Sequence, residues 1–383
     1  MGLRHANVRM VAALLAVLVG GGNEGAAFYQ CSVPAADSGS CPDALSHSAV
    51  AAGFCVSVFR SNVRNARGIE VAHRHARARA RMNARLHALT DTNTQVTPAG
   101  DVLVVERGTN PPQIVLLYDD DCDQQAEGKV TLVSQQGLNH GLTFSKGYIY
   151  ASSATTVWRW PYLSGSRTAI TAAAETVVHS MNADGQGGAP GGHTTRTVAV
   201  DDSDMLYVSV GSAGNVDPDS FRSRIRRFDL SALPPGGIAF VAGEVFADGL
   251  RNEVGLAFDG SGVLWGVENG ADNLNRGDLG GDIHHENPAE ELNRFPESKK
   301  GQHWGYPYCF SEFKLEESKG RGAGSVWAWP TFMEDGTHDD AWCRTQTNPS
   351  IMAMQASLSV SWGSFVLSIP LFPGRLRPVR VSA

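Results

Sequence analysis

A histidine in the segment QGLNHGL (residues 136–142) is the first candidate for chemistry. His140 stands just before an apolar run, with Gly137 and Gly141 on its two sides, and glycines permit tight turning and the close approach of a ligand. A histidine between a loop and a strand can serve as a general base near neutral pH. The alternative is a structural imidazole bonded to the local backbone, and spacing alone does not decide between the two.

Three arginines occupy loop ends beside apolar runs. Arg107 follows the run at 102–106, Arg196 follows a Gly-Gly-His-Thr-Thr segment, and Arg251 precedes Asn252. Arginines gathered around a ring of strands would form a cationic well for an anionic ligand, because a guanidinium binds carboxylates bidentately. Each arginine alone would more commonly be one partner of a surface ion pair. Asn215 lies in a glycine-rich loop, where a turn role is the default interpretation.

An aromatic segment and an acidic loop add two further candidates. Trp304, Tyr306 and Tyr308 could stack on a flat cofactor, although such residues more often pack in a core. The loop at 270–291 could supply oxygen ligands to Ca²⁺. Its candidate ligands are Asp272, Asp282 and Glu290, with Asp278, Glu286 and Glu291 nearby. The spacing is not that of an EF-hand, so a solvated acidic loop is the alternative.

Recurrent hairpins must position these residues. The same unit, an apolar strand followed by a Gly/Asp/Ser turn and a second apolar strand, occurs at 141–152, 196–210 and 254–267. The run at 68–71 with that at 102–106 fits an earlier copy, and 113–118 reads as a further strand. Strand repeats of this kind, with starts roughly 40–60 residues apart, are typical of β-propellers. In that architecture the long loops on one face carry the site.

Two stretches do not fit the repeat. The segment 72–96 is rich in Arg and His, and we interpret it as an insertion outside the core. Residues 351–383 contain no Asp, Glu or Lys, and no further repeat is visible there. We therefore expect a propeller over 28–350 that is apparently incomplete at its C-terminus, followed by an atypical tail at 351–383. An unclosed ring would leave strand edges exposed.

The composition bounds the class of protein. The chain has 383 residues and a net charge of −7, which argues against a nucleic-acid partner. Residues 1–27 read as a signal peptide, with basic residues before a short apolar run that cannot span a bilayer. We expect a secreted protein with no membrane association after cleavage. Six cysteines suggest up to three disulfides, and Cys309 with Cys343 is the first pairing expected, since each lies in its own Trp/Tyr-rich segment.

Together these segments resemble the glucose/sorbosone dehydrogenase family, with its secreted eukaryotic pyranose dehydrogenases as the nearest branch. The resemblance rests on GLNHGL, HTTRTVAV, RSRIRRFDL, GLRNEVGLAFD, LWGVENGAD, AEELN and HWGYPYC, in that order. It covers about residues 41–350 without the basic insertion. It implies an all-β, six-bladed propeller that binds pyrroloquinoline quinone and Ca²⁺ and oxidises an aldose or ketoaldose.

The same resemblance implies roles for single residues. His140 matches the general base that takes the proton of the sugar hydroxyl while hydride passes to the quinone. Arg107, Asn215 and Arg251 match cofactor-site positions, and Trp304 with Tyr306 match the adjoining aromatic segment. Asp272, Asp282 and Glu290 lie in the region expected to hold Ca²⁺. No cytochrome domain is visible, so the reduced quinone would need an external electron acceptor.

Two features depart from the family pattern. The segment 72–96 interrupts the first blade, and the family's last blades, which supply further basic residues, are replaced after residue 356 by an unrelated tail. The alternatives to an active enzyme are therefore a non-catalytic extracellular propeller that binds a protein or glycan, or an inactive truncated form.

Overall fold

The computed structural model describes residues 64, 66–71, 101–120, 126–182, 192–218 and 221–354. The expected signal peptide, the segment 72–96 and the tail beyond residue 354 lie outside these residues. Four multi-stranded sheets, which we call blades 1 to 4, follow one another along the described chain. This arrangement confirms the all-β propeller class that the hairpin repeats predict.

The blades are built mainly from antiparallel strands. Blade 1 contains β1 (Ala66–Val71), β2 (Val102–Glu106), β3 (Gln113–Tyr118) and β4 (Gly128–Ser134). Blade 2 contains β5 (Leu142–Ser145), β6 (Tyr148–Ser152), β7 (Val157–Pro161) and β8 (Glu175–His179). Blade 3 contains β9 (Val198–Val200), β10 (Met205–Val210), β11 (Arg224–Asp229) and β13 (Glu244–Asp248). The short strand β12 (Ile238–Ala239), between β11 and β13 in sequence, pairs in parallel with β8 and so belongs to the sheet of blade 2.

Blade 4 carries long insertions between its strands. Its sheet contains β14 (Glu253–Phe258), β15 (Leu264–Glu268), β18 (Glu290–Phe295) and β21 (Met352–Met354). One insertion forms the hairpin of β16 (Asn275–Arg276) with β17 (Gly281–Asp282). A second insertion forms the hairpin of β19 (Cys309–Ser311) with β20 (Val326–Ala328). The described helices are α1 (Asp340–Gln346) and 3-10 turns at Phe240–Ala242, Gly277–Leu279, Glu297–Lys299 and Pro330–Phe332.

The hydrophobic core lies between the blades. Leu103 and Ile114 of blade 1 pack against Ile149 of blade 2 in one buried cluster, and similar clusters join blade 2 to blade 3 and blade 3 to blade 4. The alternation of apolar and polar residues along each strand gives every sheet two faces to bury against its neighbours. Propeller blades are stabilised in this way, by packing sheet against sheet.

The pairing of β1 with β2 confirms the expectation that the runs at 68–71 and 102–106 belong to one unit. Val71 pairs with Val102 and Ala66 with Glu106, so the two strands meet in register although 30 residues separate them in sequence. The predicted hairpins at 141–152, 196–210 and 254–267 are likewise formed, as β5–β6, β9–β10 and β14–β15. Blade 4 takes its fourth strand, β21, from residues just beyond position 350.

The first strands of the blades lie next to one another around the centre, since β1 contacts β5, β5 contacts β9 and β9 contacts β14. The starts of β5, β9 and β14 therefore share one end of the assembly, which we call the site end. The second strands β6, β10 and β15 run antiparallel to them and finish at this end. In the described part of the chain, no helix is both long and apolar enough to cross a membrane.

Candidate active site

His140 lies at the site end, immediately before β5, and is 4% exposed. Its Nε2 lies 3.1 Å from the carbonyl oxygen of Val254 at the start of blade 4. A carbonyl only accepts hydrogen bonds, so this contact requires a proton on Nε2 and, in the neutral ring, the lone pair on Nδ1. The histidine thus bridges blades 2 and 4 through a backbone carbonyl that is distant in sequence.

Gly141 explains why a glycine follows this histidine. Its N–H donates to Ser152 Oγ at 2.8 Å, and that hydroxyl donates to the carbonyl of Arg196 at 2.7 Å. A Cβ at position 141 would lie 2.2 Å from the Arg196 carbonyl oxygen. The close approach expected beside His140 is therefore made by another blade's backbone. It fixes the start of β5 against the segment before β9.

Arg196 does not contribute to the predicted cationic well. The side chain is 0% exposed and donates to the carbonyls of Ala154, His193 and Thr195 and to Asn182 Oδ1. A guanidinium has five donors in a fixed fork, and here the fork ties several loops together at the site end. Arg196 is thus a structural residue, because its donors are directed at buried backbone carbonyls.

Arg251 lies at the centre of the site end and joins blade 3 to blade 4. Its side chain is 7% exposed, and its Nη2 donates to Asn215 Oδ1 at 3.0 Å and to Asp272 Oδ2 at 2.8 Å. Nε donates to the carbonyl of Asn215 and Nη1 to that of Asn269. Because the Asp272 carboxylate is 73% exposed, solvent weakens its neutralisation of the guanidinium. The result is a positive group at a site-end surface.

Asn215 and Tyr306 complete this group. The Asn215 side chain accepts from the Asp272 N–H and donates to the Asp272 carbonyl, at 2.7 Å in both cases. The Tyr306 hydroxyl donates to the Asn215 carbonyl at 3.1 Å and accepts from the Asp217 N–H at 2.8 Å. Burial raises the pKa of Tyr306 to about 12, so its hydroxyl stays protonated. The structure therefore brings the predicted residues Asn215, Arg251 and Tyr306 together.

Arg107 and Trp304 occupy different surroundings. Arg107 is exposed in the turn after β2, the second strand of blade 1. Trp304 is 4% exposed and packs 4.9 Å from Phe295, within the apolar cluster between blades 3 and 4. The structure thus places the indole of Trp304 in the core, as its large apolar surface favours, and apart from the Tyr306 group.

The three carboxylates predicted to bind a metal each have a different partner. Asp272 pairs with Arg251, Asp282 with His284, and Glu290 accepts from Asn269 Nδ2 at 3.1 Å. Among the described residues, no group of three or more His, Cys, Asp or Glu side chains is arranged to hold a metal ion. Asp272, Asp282 and Glu290 are therefore not brought together as one ligand set. Glu290 alone is half-buried beside the Arg251 group.

Blade 4 buries a set of carboxyl groups that the sequence did not lead us to expect. Asn293 Nδ2 donates to Glu253 Oε1 and Glu268 Oε2, both at 3.0 Å, and Glu268 Oε1 accepts from the Arg251 N–H. Glu291 lies close by. Burial raises the pKa of Glu253 and Glu268 well above the usual range, and that of Glu291 to about 7. Glu253 and Glu268 are therefore held largely in their neutral form.

A small cavity of about 20 Å³ adjoins these carboxyl groups, which is room for one water molecule. Its lining includes Glu268, Glu291, Tyr306 and Cys309. Cys309 forms a disulfide with Cys343, as the sequence predicts, with a Cα–Cα distance of 5.8 Å. The disulfide ties the β19–β20 hairpin to α1 next to the aromatic segment. The four cysteines nearer the N-terminus lie outside the described residues.

His193 is a site-end residue whose role the sequence did not reveal. It precedes β9 in the segment GGHTTRT, and its Nδ1 lies 3.1 Å from both the carbonyl oxygen and Oγ of Ser212. Burial, followed by the nearby charge of Arg251, lowers the pKa of His193 to about 4. Two glycines precede His193, just as glycines flank His140. This shared sequence feature could have identified His193 as a candidate site residue.

Comparisons with known proteins agree with this architecture. The model of a family described as TrAA12-like matches residues 90–359. The chain belongs to the TrAA12-like family. A relative from Hypocrea jecorina (strain QM6a), named pyrroloquinoline quinone-dependent sugar dehydrogenase, is 33% identical over 282 residues, which are 68% of this chain and 62% of the relative. The pyrroloquinoline quinone-dependent pyranose dehydrogenase of Coprinopsis cinerea is 32% identical over 64% of this chain and 34% of its own length.

Solved TrAA12-like structures are similar over most of the fold. The holo form of the Coprinopsis cinerea pyranose dehydrogenase PQQ domain superposes with a TM-score of 0.64 at 28% identity, and covers 81% of this chain and 70% of that domain. The calcium structure of the Trichoderma reesei family AA12 enzyme gives a TM-score of 0.60 at 26% identity, over 76% of this chain and 68% of that one. This TrAA12-like chain thus spans about three fifths of the first curated relative and a third of the second.

Proposed function

We propose that the protein is a quinoprotein sugar dehydrogenase that oxidises an aldose or ketoaldose with pyrroloquinoline quinone as hydride acceptor. The observation that carries this proposal is that His140 contacts the segment that bears Arg251, at one end of the blades. His140 contacts Val254, three residues after Arg251 in the same segment. The relatives that share this fold are named as quinone-dependent sugar or pyranose dehydrogenases.

The residues at the site end suit a flat, carboxylated quinone. Arg251 offers a guanidinium whose charge is only partly neutralised by an exposed carboxylate, and Asn215 and Tyr306 hold it in position. Beside Asn215, no heavy atom lies within 4 Å of the point where a Cβ on Gly214 would stand, so the loop leaves open space for a ligand. Arg251, Asn215 and Tyr306 would hold the cofactor, with Arg107 as a further cation from blade 1.

His140 has the chemistry of the proton acceptor. Bound quinone would supply the two-electron sink that takes up hydride from the sugar. The neutral His140 imidazole would accept the hydroxyl proton on Nδ1, since Nε2 already donates to the Val254 carbonyl. After protonation the same carbonyl still accepts from Nε2, which stabilises the imidazolium and keeps the ring oriented. His140 is 4% exposed and its Nδ1 is buried, so a sugar hydroxyl would reach this nitrogen only when the residues around it move apart.

We propose Ca²⁺ as a second cofactor, supported by the calcium structure of the Trichoderma reesei relative. Of the three carboxylates expected to bind it, Glu290 has the most suitable position, half-buried next to the Arg251 group. Asp272 and Asp282 are exposed, and their carboxylates already face Arg251 and His284. A protein Ca²⁺ site needs several oxygen ligands, so the ion would also require ligands from the backbone or from the cofactor.

Secretion and an external electron acceptor complete the proposal. The basic and apolar N-terminal segment is typical of a signal peptide, and the disulfide between Cys309 and Cys343 suits an oxidising compartment. Outside the cell, the reduced cofactor would pass its electrons to a cytochrome or a quinone-like acceptor. The proposed enzyme thus has two partners, the sugar that it oxidises and a separate electron acceptor.

The test is titration of the purified chain with pyrroloquinoline quinone and Ca²⁺, read by cofactor absorbance and then by sugar-driven dye reduction. We expect saturable binding and reduction by at least one aldose. His140→Ala should reduce kcat by about 10²–10⁴ with cofactor binding retained, and His179→Ala, on outer strand β8, is the matched control. A folded chain that binds no quinone would instead support a non-catalytic binding module. Unchanged activity in His140→Ala would remove His140 as the base.

A further inference from the structure

His193 presents an imidazole that is firmly held through one nitrogen. Its Nδ1 is 3.1 Å from the Ser212 carbonyl oxygen, which can only accept, so Nδ1 must carry the proton. The Ser212 hydroxyl is also 3.1 Å away and has its own hydrogen directed at the Gly214 carbonyl, at 2.7 Å. The single Nδ1–H of His193 is thus shared between the two oxygens of Ser212, and this contact fixes the tautomer of the ring.

The other nitrogen of His193 is left available. In the neutral ring, with its proton on Nδ1, Nε2 carries the lone pair. Within the described residues Nε2 makes no hydrogen bond, and it is not one of the buried polar atoms that lack a partner. His193 itself is half-buried. The fixed tautomer therefore leaves an acceptor atom open at the site end.

The two site-end histidines thus have opposite tautomers. Nε2 of His140 donates to Val254, whereas Nε2 of His193 is the acceptor atom. Burial and the nearby guanidinium of Arg251 lower the pKa of His193 to about 4, so the ring stays neutral at working pH. A ring with so low a pKa is a poor proton carrier. It remains a good hydrogen-bond acceptor of constant charge.

We propose that Nε2 of His193 accepts a hydrogen bond from a hydroxyl group of the bound sugar, and so helps to determine substrate specificity. This inference rests on the proposed function and adds a substrate contact to it. A bare imidazole nitrogen repels carboxylate and carbonyl oxygens, which dominate the edge of a carboxylated quinone. It suits an O–H donor instead, and a sugar carries a hydroxyl group on most of its carbons.

The contact should act on specificity more than on overall binding. A site built to hydrogen-bond a substrate hydroxyl discriminates against an analogue that lacks it, because its acceptor is then left unsatisfied. The Ser212 contacts hold the ring in place before the sugar arrives, so little side-chain entropy is lost on binding. His193 is thus expected to read one hydroxyl of the substrate.

The experiment compares wild type with His193→Phe and His193→Gln, loaded with quinone and Ca²⁺. Phenylalanine keeps a planar ring without the acceptor, and glutamine restores an acceptor. We expect the sugar's KM to rise about three- to tenfold in His193→Phe, with a partial return in His193→Gln. Cofactor affinity, followed by absorbance titration, should stay within twofold. His179→Phe, on outer strand β8, is the control for replacing a histidine.

Deoxy sugars give the deciding comparison. In wild type, one monodeoxy analogue should show a raised KM that His193→Phe raises no further, because the hydroxyl and its acceptor form one pair. The proposal is overturned if the KM of every deoxy analogue rises by the same factor in wild type and in His193→Phe. It is also overturned if His193→Phe loses quinone affinity and keeps the KM for the sugar. Thermal melts show whether each variant is folded. If His193→Phe is not folded, the comparison with deoxy sugars is made with His193→Gln.

The two proposals fail in different ways. If wild type binds quinone but no sugar reduces the dye, the dehydrogenase function fails and the contact at His193 fails with it. If wild type is active and both His193 variants match it in KM and in discrimination among deoxy sugars, only the inference about His193 fails.

Discussion

Blades 2 and 4 are each built on four antiparallel strands of the chain, yet their interiors differ. The middle strands of blade 2 bury Ile149, Ala151 and Val157 among other apolar side chains. Blade 4 buries Glu253, Glu268 and Glu291 around Asn293, and carries the long insertions with the Arg251 group at their edge. Desolvated carboxyl groups are costly to hold, so a blade that keeps them is expected to trade stability for function.

The largest effect should come from blade 2, whose described strands bury no carboxyl group. Ile149→Ala removes a side chain with 0% exposure from the cluster between blades 1 and 2. We expect a loss of about 3 kcal/mol in the free energy of unfolding, and about 1 kcal/mol for the control Ile149→Val. Denaturant melts at pH 5 and pH 7 should give the same loss. A loss of unfolding free energy that depends strongly on pH would mean that ionisable groups also control the stability of the interior of blade 2.

Blade 4 should instead make stability depend on pH. Its buried carboxyl groups have a higher pKa folded than unfolded, so they stabilise the protein below about pH 4.5. As pH rises above that value, the unfolded chain releases these protons first and stability falls. The fall continues through pH 7, where Glu291 titrates. Each group contributes on the order of 1 kcal/mol per pH unit over its window.

Glu253→Gln checks the origin of that dependence. The amide keeps the shape of the carboxyl group and cannot ionise, so the slope of unfolding free energy against pH should become shallower between pH 5 and pH 7. Glu175→Gln, at a carboxylate on outer strand β8, is the control and should leave the slope as in wild type. An unaltered slope in Glu253→Gln would assign the dependence to other groups.

A smaller effect is expected where blade 4 meets the proposed site. Tyr306→Phe removes the hydroxyl that joins Asn215 to Asp217, at a cost of about 1 kcal/mol in unfolding free energy. Because that hydroxyl positions the loop beside Arg251, quinone affinity should fall severalfold. Tyr162→Phe, at a buried tyrosine of blade 2, is the control for cofactor affinity. Equal affinity in Tyr306→Phe and wild type would separate this tyrosine from the site.

The smallest effect concerns the surface of blade 2. Arg159 and Glu175 form a bidentate ion pair at 2.7 and 3.0 Å, with the Glu175 side chain 46% exposed. Exposed pairs contribute little, so Glu175→Gln should cost less than about 1 kcal/mol, and less still at 1 M salt. Thermal melts at two salt concentrations measure it. A cost comparable to Ile149→Ala would show that the blade surface, and not its interior, maintains the fold.

The strands could be predicted because their signal is local. Alternation of apolar residues and Gly/Asp/Ser turns indicated β5–β6, β9–β10 and β14–β15, and the same pattern joined β1 to β2 across the basic segment. The disulfide between Cys309 and Cys343 was also predicted from the sequence. The family resemblance added the six-bladed class, which periodicity alone would not give.

The site was less predictable because its contacts join different blades. Arg196 and Arg251 look alike in sequence and both donate to backbone carbonyls, yet only Arg251 also forms an ion pair with an exposed carboxylate, that of Asp272. Trp304 and Tyr306 stand two residues apart, and only Tyr306 joins the polar group. The burial of Glu253 and Glu268 depends on how blade 4 packs, which no pattern of acidic residues reveals.

The register of β1 with β2 has a consequence for engineering. Val71 and Val102 pair at the end of blade 1 opposite Ala66 and Glu106, and so opposite the site end. The two strands pair although the connection between them is long, and lengthening a flexible connection by a factor of two costs only about 0.6 kcal/mol in closure entropy. Val71 and Val102, where this connection leaves and rejoins blade 1, are therefore natural attachment points for an electrode tether or a fused electron-transfer domain, at the end of the blade opposite the site end.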